Sequence, residues 1–317
     1  MTCLALWYKA VEGRHNQKLK IELHTNLWEL EPSAERQAKH FLDIGIKVHQ
    51  ASLAEGIRLY FPFAVGPADI QDLGSLFASH HNLLPAIFNE NLYMTRKAKI
   101  LRITDTSGVP QFNIYALDIK QDLNFTQKYG GTVVNIPIKT SEEDVPIYFR
   151  IRVTSRHLEE LHHNYWPRSS WLDNSSTSTN SVDFRINESR NLDQTLLEDM
   201  DKDGLVEFKS IDFFVMRDFK YDFISANKDL HRSRWLEPNI WDKYVGKGCK
   251  CSETIAYHLK WQEEDLGPEV PGINAFVKFK CTTSNWVIIV RFVFILISIG
   301  FLGGLLGSLV FSILHVP

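Results

Sequence analysis

Cysteine is scarce in this chain. Four thiols, Cys3, Cys249, Cys251 and Cys281, serve 317 residues. That is too few to staple a chain of this size, so a disulfide-built scaffold is excluded. Charge of one sign is missing as well. The net charge is −3, without the basic excess of a nucleic-acid surface, which argues against nucleic acid as a partner. The sequence carries no G-x-S-x-G elbow, no Walker A loop and no dinucleotide fingerprint, so the commonest hydrolase, NTPase and dehydrogenase motifs are absent. No basic leader precedes the short apolar start "MTCLALWYKAVEGRH". The bulk of the chain is therefore expected in the cytosol with reduced thiols, where sequons at Asn124, Asn174 and Asn187 stay unmodified.

Aromatic residues, by contrast, are abundant. They make up 12% of the chain, with 20 Phe and 8 Trp. This is ample material for a core and excludes global disorder.

The one long hydrophobic run closes the sequence. From Phe292 to Val316, 25 residues contain no Asp, Glu, Lys or Arg. As a helix they rise roughly 37 Å, enough to cross a hydrocarbon core of about 30 Å at a tilt. A single transmembrane helix over 286–316 is expected, with the lipid bilayer as partner. Lys278, Lys280 and Arg291 precede its uncharged run from Phe292, and only His315 is titratable beyond its centre. The positive-inside rule then places the large N-terminal part in the cytosol, as in a tail-anchored, single-pass protein. Trp286 and Arg291 are the expected interface anchors, Arg291 by reaching back to the headgroups. Within the span, Gly300 and Gly304 are four apart, as are Gly303 and Gly307, and Ser308 extends the series. Small residues on one helix face let a second backbone approach, so self-association into a homo-oligomer is expected through this stripe.

Ahead of the span, residues 1–285 read as strands. "KLKIELH" sets Leu19, Ile21 and Leu23 on one face, "DIGIKVH" sets Ile44, Ile46 and Val48, and "PIYFRIRVT" opposes Ile147, Phe149, Ile151 and Val153 to Tyr148, Arg150 and Arg152. About ten such alternating segments predict a mainly β fold: an antiparallel two-layer β-sandwich, or a barrel-like variant, with one face of each sheet solvated. A few short helices are predicted, one over "PADIQDLGSLFASHH" with Pro67 at its first position, others over "SAERQAKHFL" and "SRHLEELHHNY". The Ser/Thr/Asn-rich stretch 169–181 reads as an exposed loop. It either divides subdomains 1–168 and 182–285 or lies within one unit.

Three segments carry candidate chemistry. In "DMDKDG", Asp199, Asp201 and Asp203 alternate ahead of Gly204, with Glu207 at the ninth position. This resembles the first half of an EF-hand calcium loop. The twelfth position is Ser210, where that loop needs a bidentate Glu, and the exit reads as a strand. An Asp-Gly turn is the expectation, calcium the alternative, and no other cofactor is expected. In "HLEELHHNYW", His157 and His162 are five apart, about 140° around a helix, which does not match the zincin spacing. In "NKDLHRSRWLEPNIWDKYVGKG", Lys228, Arg232 and Arg234 lie near Trp235 and Trp241, a mixture suited to holding an anion.

With no defensible catalytic constellation, the expectation is binding rather than catalysis. The cytosolic body binds a protein partner or small-molecule ligand and the glycine-faced helix assembles chains in the bilayer. A membrane-perturbing effector, as in bacterial defence, is one form of this. The alternatives are a membrane-tethered enzyme with a calcium- or phosphate-binding pocket, and a structural tether for another protein.

Overall fold

Among the described residues, the alternation read from the sequence becomes eighteen strands. The structure is a computed structural model, and it describes residues 2–14, 17–30, 40–80, 82–97, 100–138, 145–166, 177–246, 251–266, 272–282 and 286–314. In chain order the strands of the first half are β1 (Ala5–Ala10), β2 (Leu19–Glu29), β3 (His40–Val48), β4 (Ala54–Phe61), β5 (Ile70–Asp72), β6 (Tyr93–Lys97), β7 (Ile100–Thr104), β8 (Pro110–Tyr115), β9 (Asn124–Lys128) and β10 (Gly131–Pro137). Those of the second half are β11 (Ile147–Val153), β12 (His162–Tyr165), β13 (Thr177–Ile186), β14 (Val206–Asp218), β15 (Tyr221–Ala226), β16 (Leu230–Trp235), β17 (Thr254–Gln262) and β18 (Ile273–Thr282). The helices are α1 (Gly74–Ser79), α2 (Leu83–Phe88), α3 (Ile119–Asp122), α4 (Gln194–Asp203), α5 (Pro238–Val245) and α6 (Trp286–Leu314).

These strands form three sheets. The large one runs β16-β17-β14-β2-β3-β11-β8-β7-β6, with β5 also paired to β11. The two small ones run β1-β4-β10-β9 and β12-β13-β18-β15. No pairing between described strands closes the large sheet into a barrel. One apolar face of each sheet enters a common core. Ile21, Ile46, Ile151, Phe213 and Leu259 of the large sheet meet Leu6, Leu59 and Val134 of one small sheet and Phe184, Val277 and Phe279 of the other. Phe184 stacks on Phe213 at 4.7 Å between centroids, which fixes two of the layers face to face. The small sheets are joined by a bridge between Leu4 and Ile186. Beside it, buried Asn187 exchanges both side-chain hydrogen bonds with the backbone of Leu6. That sequon asparagine is structural, with no room for a glycan.

The large sheet is mixed rather than purely antiparallel. β14 runs parallel to β2 and β11 parallel to β8. Parallel neighbours are not encoded in the alternation of a single strand, so the sequence pattern does not separate the two cases. The Pro67 helix is corrected too. Ile70–Asp72 pairs with β11 as β5, and the helix starts at Gly74. The backbone amides of Leu73 and Thr154 bond to Arg150 and Asp69 carbonyls across this edge, so strand pairing outcompetes the local helical period. The "SAERQAKHFL" segment lies outside the described residues up to residue 39, and from His40 it is strand. "SRHLEELHHNY" is a 3-10 turn, Arg156–Leu161, followed by β12. Residues 167–176 of the polar loop lie outside the described residues, and from Thr177 the polar run is strand β13.

The other face of the large sheet is largely covered, with Lys20, Glu207 and Lys260 partly exposed. α1, α2 and α5 cover its rim with a second apolar cluster that includes Trp28, Phe41, Phe77, Phe112, Trp241 and Tyr244. Between these lies a polar centre, described below. α6 is long and apolar enough to span a membrane: Phe292–Phe311 is 20 residues and none of it is buried in the body. Among the described residues, nothing outside the helix's own backbone and adjacent residues lies within 4 Å of where a Cβ would sit on Gly300, Gly303, Gly304 or Gly307.

Candidate functional site

Strand register builds the polar centre. Across the large sheet Lys260 stands opposite Asp212, Asp212 beside His24, His24 opposite Gly45, and Gly45 opposite Arg150. Neighbouring strands are about 4.8 Å apart, so these side chains form one transverse row. Two residues along each strand, on the same face, a second row holds His258, Phe214, Asn26, Asp43 and Arg152. Each strand alternates, so burying its apolar partners on the core face commits these residues to the opposite face.

Over the first row opens a cavity of about 320 Å³, walled by α2, β16 and α5 residues such as Phe88, Arg234 and Trp241. Five cationic side chains line it against three carboxylates. Two of the carboxylates are already engaged. Glu22 accepts from His49 at 2.6 Å and lies 3.5 Å from Lys47. Asp212 pairs with His258 at 2.7 Å and lies 3.8 Å from Lys260. Burial would raise the Glu22 pKa, but the His49 hydrogen bond and the Lys47 charge overcome this and hold it at about 2. Burial likewise works against the Asp212 carboxylate, and the His258 hydrogen bond with the His24 and Lys260 charges lowers its pKa on balance.

Arg150 is the distinctive group. Its side chain is 1% exposed, yet it lines the cavity. Its Nε donates to the Tyr244 hydroxyl at 2.7 Å and its Nη1 to the Tyr148 hydroxyl at 2.9 Å. Its Nη2 is buried without a hydrogen-bond partner among the described residues. A buried guanidinium with an open donor is costly unless something accepts from it. Gly45 makes the arrangement possible, because a Cβ there would collide with the Tyr148 hydroxyl and crowd Arg150 Nη1. Beneath, Asp43 is fully buried and accepts from Arg152 Nε at 2.7 Å, Trp28 Nε1 at 2.9 Å and the Tyr244 hydroxyl at 2.7 Å. The relay Asp43–Tyr244–Arg150 fixes the guanidinium from behind.

His24 completes the row. Its side chain is 14% exposed and lies 3.9 Å from Asp212. Burial, helped by the Arg150 and Lys47 charges, pushes its pKa down to about 4, against the pull of Asp212 and Glu22. It is therefore neutral at pH 7. A depressed histidine refuses a proton that the unfolded chain accepts, so stability is fully present above about pH 6.5 and falls as pH drops towards 4. The expected loss across that window is about 3 kcal/mol. Urea midpoints of the full chain in detergent between pH 4 and 7 check this, and His24→Gln should flatten the slope; an unchanged slope in the variant assigns it elsewhere.

The sequence-predicted residues are distributed as follows. Arg232 and Arg234 both line the cavity. Arg234 Nη2 donates to the Ala86 carbonyl at 2.8 Å, tying β16 to α2. Lys228 does not reach it and pairs with Asp265 at 2.5 Å. Asp199, Asp201 and Asp203 sit on α4 rather than in a loop, and each of the outer two has its own partner. Asp199 binds Lys128 and the Tyr129 hydroxyl, and Asp203 binds Arg58 and Trp7 Nε1. Asp201 is exposed, and Glu207 pairs with Lys20 at 3.1 Å. The four carboxylates are thus not brought together. Gly300, Gly303, Gly304, Gly307 and Ser308 are exposed along α6 and Trp286 is 73% exposed, while the Arg291 side chain lies outside the described residues.

A second buried cluster joins Glu29, His40 and His162, whose ligand-type atoms lie within 4.8 Å of one another. Of the His-rich segment only His162 turns inward; His157 pairs with Glu160 at 2.9 Å and His163 is exposed. The positive charge in this cluster is supplied by the chain itself. Arg217 pairs with Glu29 and its Nη2 contacts His162 Nδ1 at 2.8 Å and Asn180 Oδ1 at 2.6 Å. A guanidinium in that position satisfies the carboxylate without a metal ion.

Sequence reasoning missed Arg150, Asp43 and His24. Their only signal was a charged or polar residue at alternate strand positions, which is also what a solvated face looks like. No family model and no curated protein matches this chain.

Proposed function

We propose that this chain is a membrane-anchored ligand-binding protein whose β-rich body takes a small phosphate- or carboxylate-bearing molecule in the cavity over the large sheet. What carries the reading is Arg150, a cavity-lining side chain held by two tyrosines, whose buried Nη2 donor has no acceptor among the described residues. A planar fork with one edge held by Tyr148 and Tyr244 offers its remaining N–H to an oxyanion. Arg232 and Arg234 lie at the mouth, and Trp241 and Phe88 give apolar walls, the mixture usual for small-ligand sites. The body reads as a layered β-sandwich with this pocket on the outer face of its larger sheet.

The test is thermal. Inorganic phosphate, pyrophosphate and citrate are titrated into the full chain in detergent. A ligand at a hundred times its Kd adds about 2.7 kcal/mol, so a rise of several degrees in Tm is expected for at least one of them. No shift with any oxyanion removes the reading.

A second reading, a membrane-tethered enzyme, is favoured by one observation. Asp212 and His258 are 2.7 Å apart at the cavity wall, and the His258 ring stacks on Phe214 at 4.0 Å. A carboxylate-oriented imidazole beside an anion site is the arrangement of a general base. Release of phosphate from p-nitrophenyl phosphate, abolished in His258→Gln, would move the site from binding to catalysis.

α6 supplies the anchor in this reading. The positive flank keeps the body cytosolic, and the glycine stripe supports association between helices. The full chain is expected to pellet with membranes and resist an alkaline carbonate wash, and truncation before Trp286 should release it to the supernatant. Recovery of the untruncated chain in the supernatant overturns the anchor.

A further inference from the structure

Exposed aromatic side chains on the body are not spread evenly. Five are more than half exposed among the described residues ahead of α6: Tyr93, Tyr165, Trp166, Phe219 and Trp235. Register places four of them at one end of the molecule. Tyr165 on β12 stands opposite Thr179 on β13, which stands opposite Lys280 on β18. Trp166 lies one residue further toward the end at which β18 finishes. On the other side of β18, Tyr221 pairs with Cys281, so Phe219 and Lys220 in the turn before β15 project past that same end. Trp235 closes β16 and packs on Phe219 at 6.1 Å.

The same end holds the connection to α6. β18 finishes at Thr282 and α6 starts at Trp286. Four residues of chain reach at most about 14 Å. If α6 enters the interface at Trp286, the β18 end of the body is held within that distance of the membrane surface, whatever the tilt of the helix.

We propose that this end of the body rests on the bilayer, with Tyr165, Trp166, Phe219 and Trp235 inserted among the headgroups. Tyr and Trp rings have an apolar body and a polar tip, which suits them to the interfacial layer. The charges beside them are of both signs: Lys220 and Lys280 against Asp218, Asp222 and Glu253. The contact is therefore driven by apolar burial and does not require anionic lipid. It holds the body close to the membrane in a defined orientation instead of leaving it on a free tether. The inference rests on the spanning reading of α6, and the experiment separates the two.

The full chain is reconstituted into neutral phosphatidylcholine vesicles with or without lipid brominated high in the acyl chain. Subtracting the emission of a Trp166→Phe, Trp235→Phe variant isolates those two residues, and Trp286→Phe isolates the helix entry. Quenching of about twofold is expected for the pair, unchanged up to roughly 1 M salt, where screening is nearly complete. Phe219→Asp should relieve the quenching of Trp235. If the pair is unquenched while Trp286 is quenched, docking is overturned and the span stands. If neither is quenched, the span fails and docking with it. Quenching that disappears in high salt overturns the apolar contact in favour of an electrostatic one.

Discussion

Replacing Asp43 by alanine is expected to cost the fold about 3–5 kcal/mol, the usual result of removing one partner of a buried ion pair. Asp43 is 0% exposed and Arg152 only 6%. The carboxylate accepts both Nε and Nη2 of Arg152, at 2.7 and 3.2 Å, and also satisfies Trp28 and Tyr244. Without it, a guanidinium lies under Phe41 and Tyr244 with only the weak, long contacts to the Tyr244 and Val245 carbonyls, at 3.4 and 3.3 Å. Desolvation of that charge is no longer offset. A fall in Tm of roughly 10 °C follows at 2–4 °C per kcal/mol for a domain of this size. Charge is the cause rather than lost volume. Asp43→Leu combined with Arg152→Met, which removes both ions, should therefore recover most of the loss. A double variant as unstable as the single one would mean that the Trp28 and Tyr244 hydrogen bonds carry the effect.

Arg150→Met is expected to do the opposite: little to stability, much to binding. Among the described residues Arg150 has no carboxylate within hydrogen-bond reach, only the hydroxyls of Tyr148 and Tyr244, and it lies against the Tyr244 ring. Methionine fills similar space and ends the cost of burying a lone charge, so Tm should change by only a few degrees. Oxyanion affinity should fall about 30-fold to a few thousand-fold, the 2–5 kcal/mol typical of losing one member of a buried charged hydrogen bond. Titration of the Tm or of intrinsic fluorescence with the best of the tested anions reads this directly. Arg150→Lys should also bind poorly, because an ammonium cannot be held by both tyrosines and still present a donor at the Nη2 position. Wild-type affinity in Arg150→Met moves the anion to the mouth, to Arg232 and Arg234.

These two residues mark where the sequence stops being readable. In "PIYFRIRVT" and "HFLDIGIKV" the alternation assigned Phe149, Ile151, Ile44 and Ile46 to the core, and they are there. The same alternation made Arg150, Arg152 and Asp43 look like residues of a wet face. They are buried because α1, α2 and α5 cover that face, and coverage by distant elements leaves no trace in strand periodicity. Asp43 and Arg152 are 109 positions apart and meet only through the β3–β11 register. Arg232 and Arg234 were legible as a basic pair near tryptophan, but their cavity depends on β16 joining β17 and on α2 folding over the sheet. Asp199, Asp201 and Asp203 do not converge because the segment is helical: Asp201 is turned away from the other two, and those are taken by Lys128, Tyr129, Arg58 and Trp7.

By itself, the sequence determined the mainly β body and the apolar helix that follows it. Both are repeats of hydrophobicity along the chain, and burial of apolar surface responds to such repeats locally. The tertiary structure alone decided which polar residues face water, which pair in the interior, and where a donor is left open. Those outcomes depend on strand register and on which layer covers which face. They are set by contacts between residues tens to hundreds of positions apart, where electrostatic and hydrogen-bond energies, and not periodicity, determine what is stable.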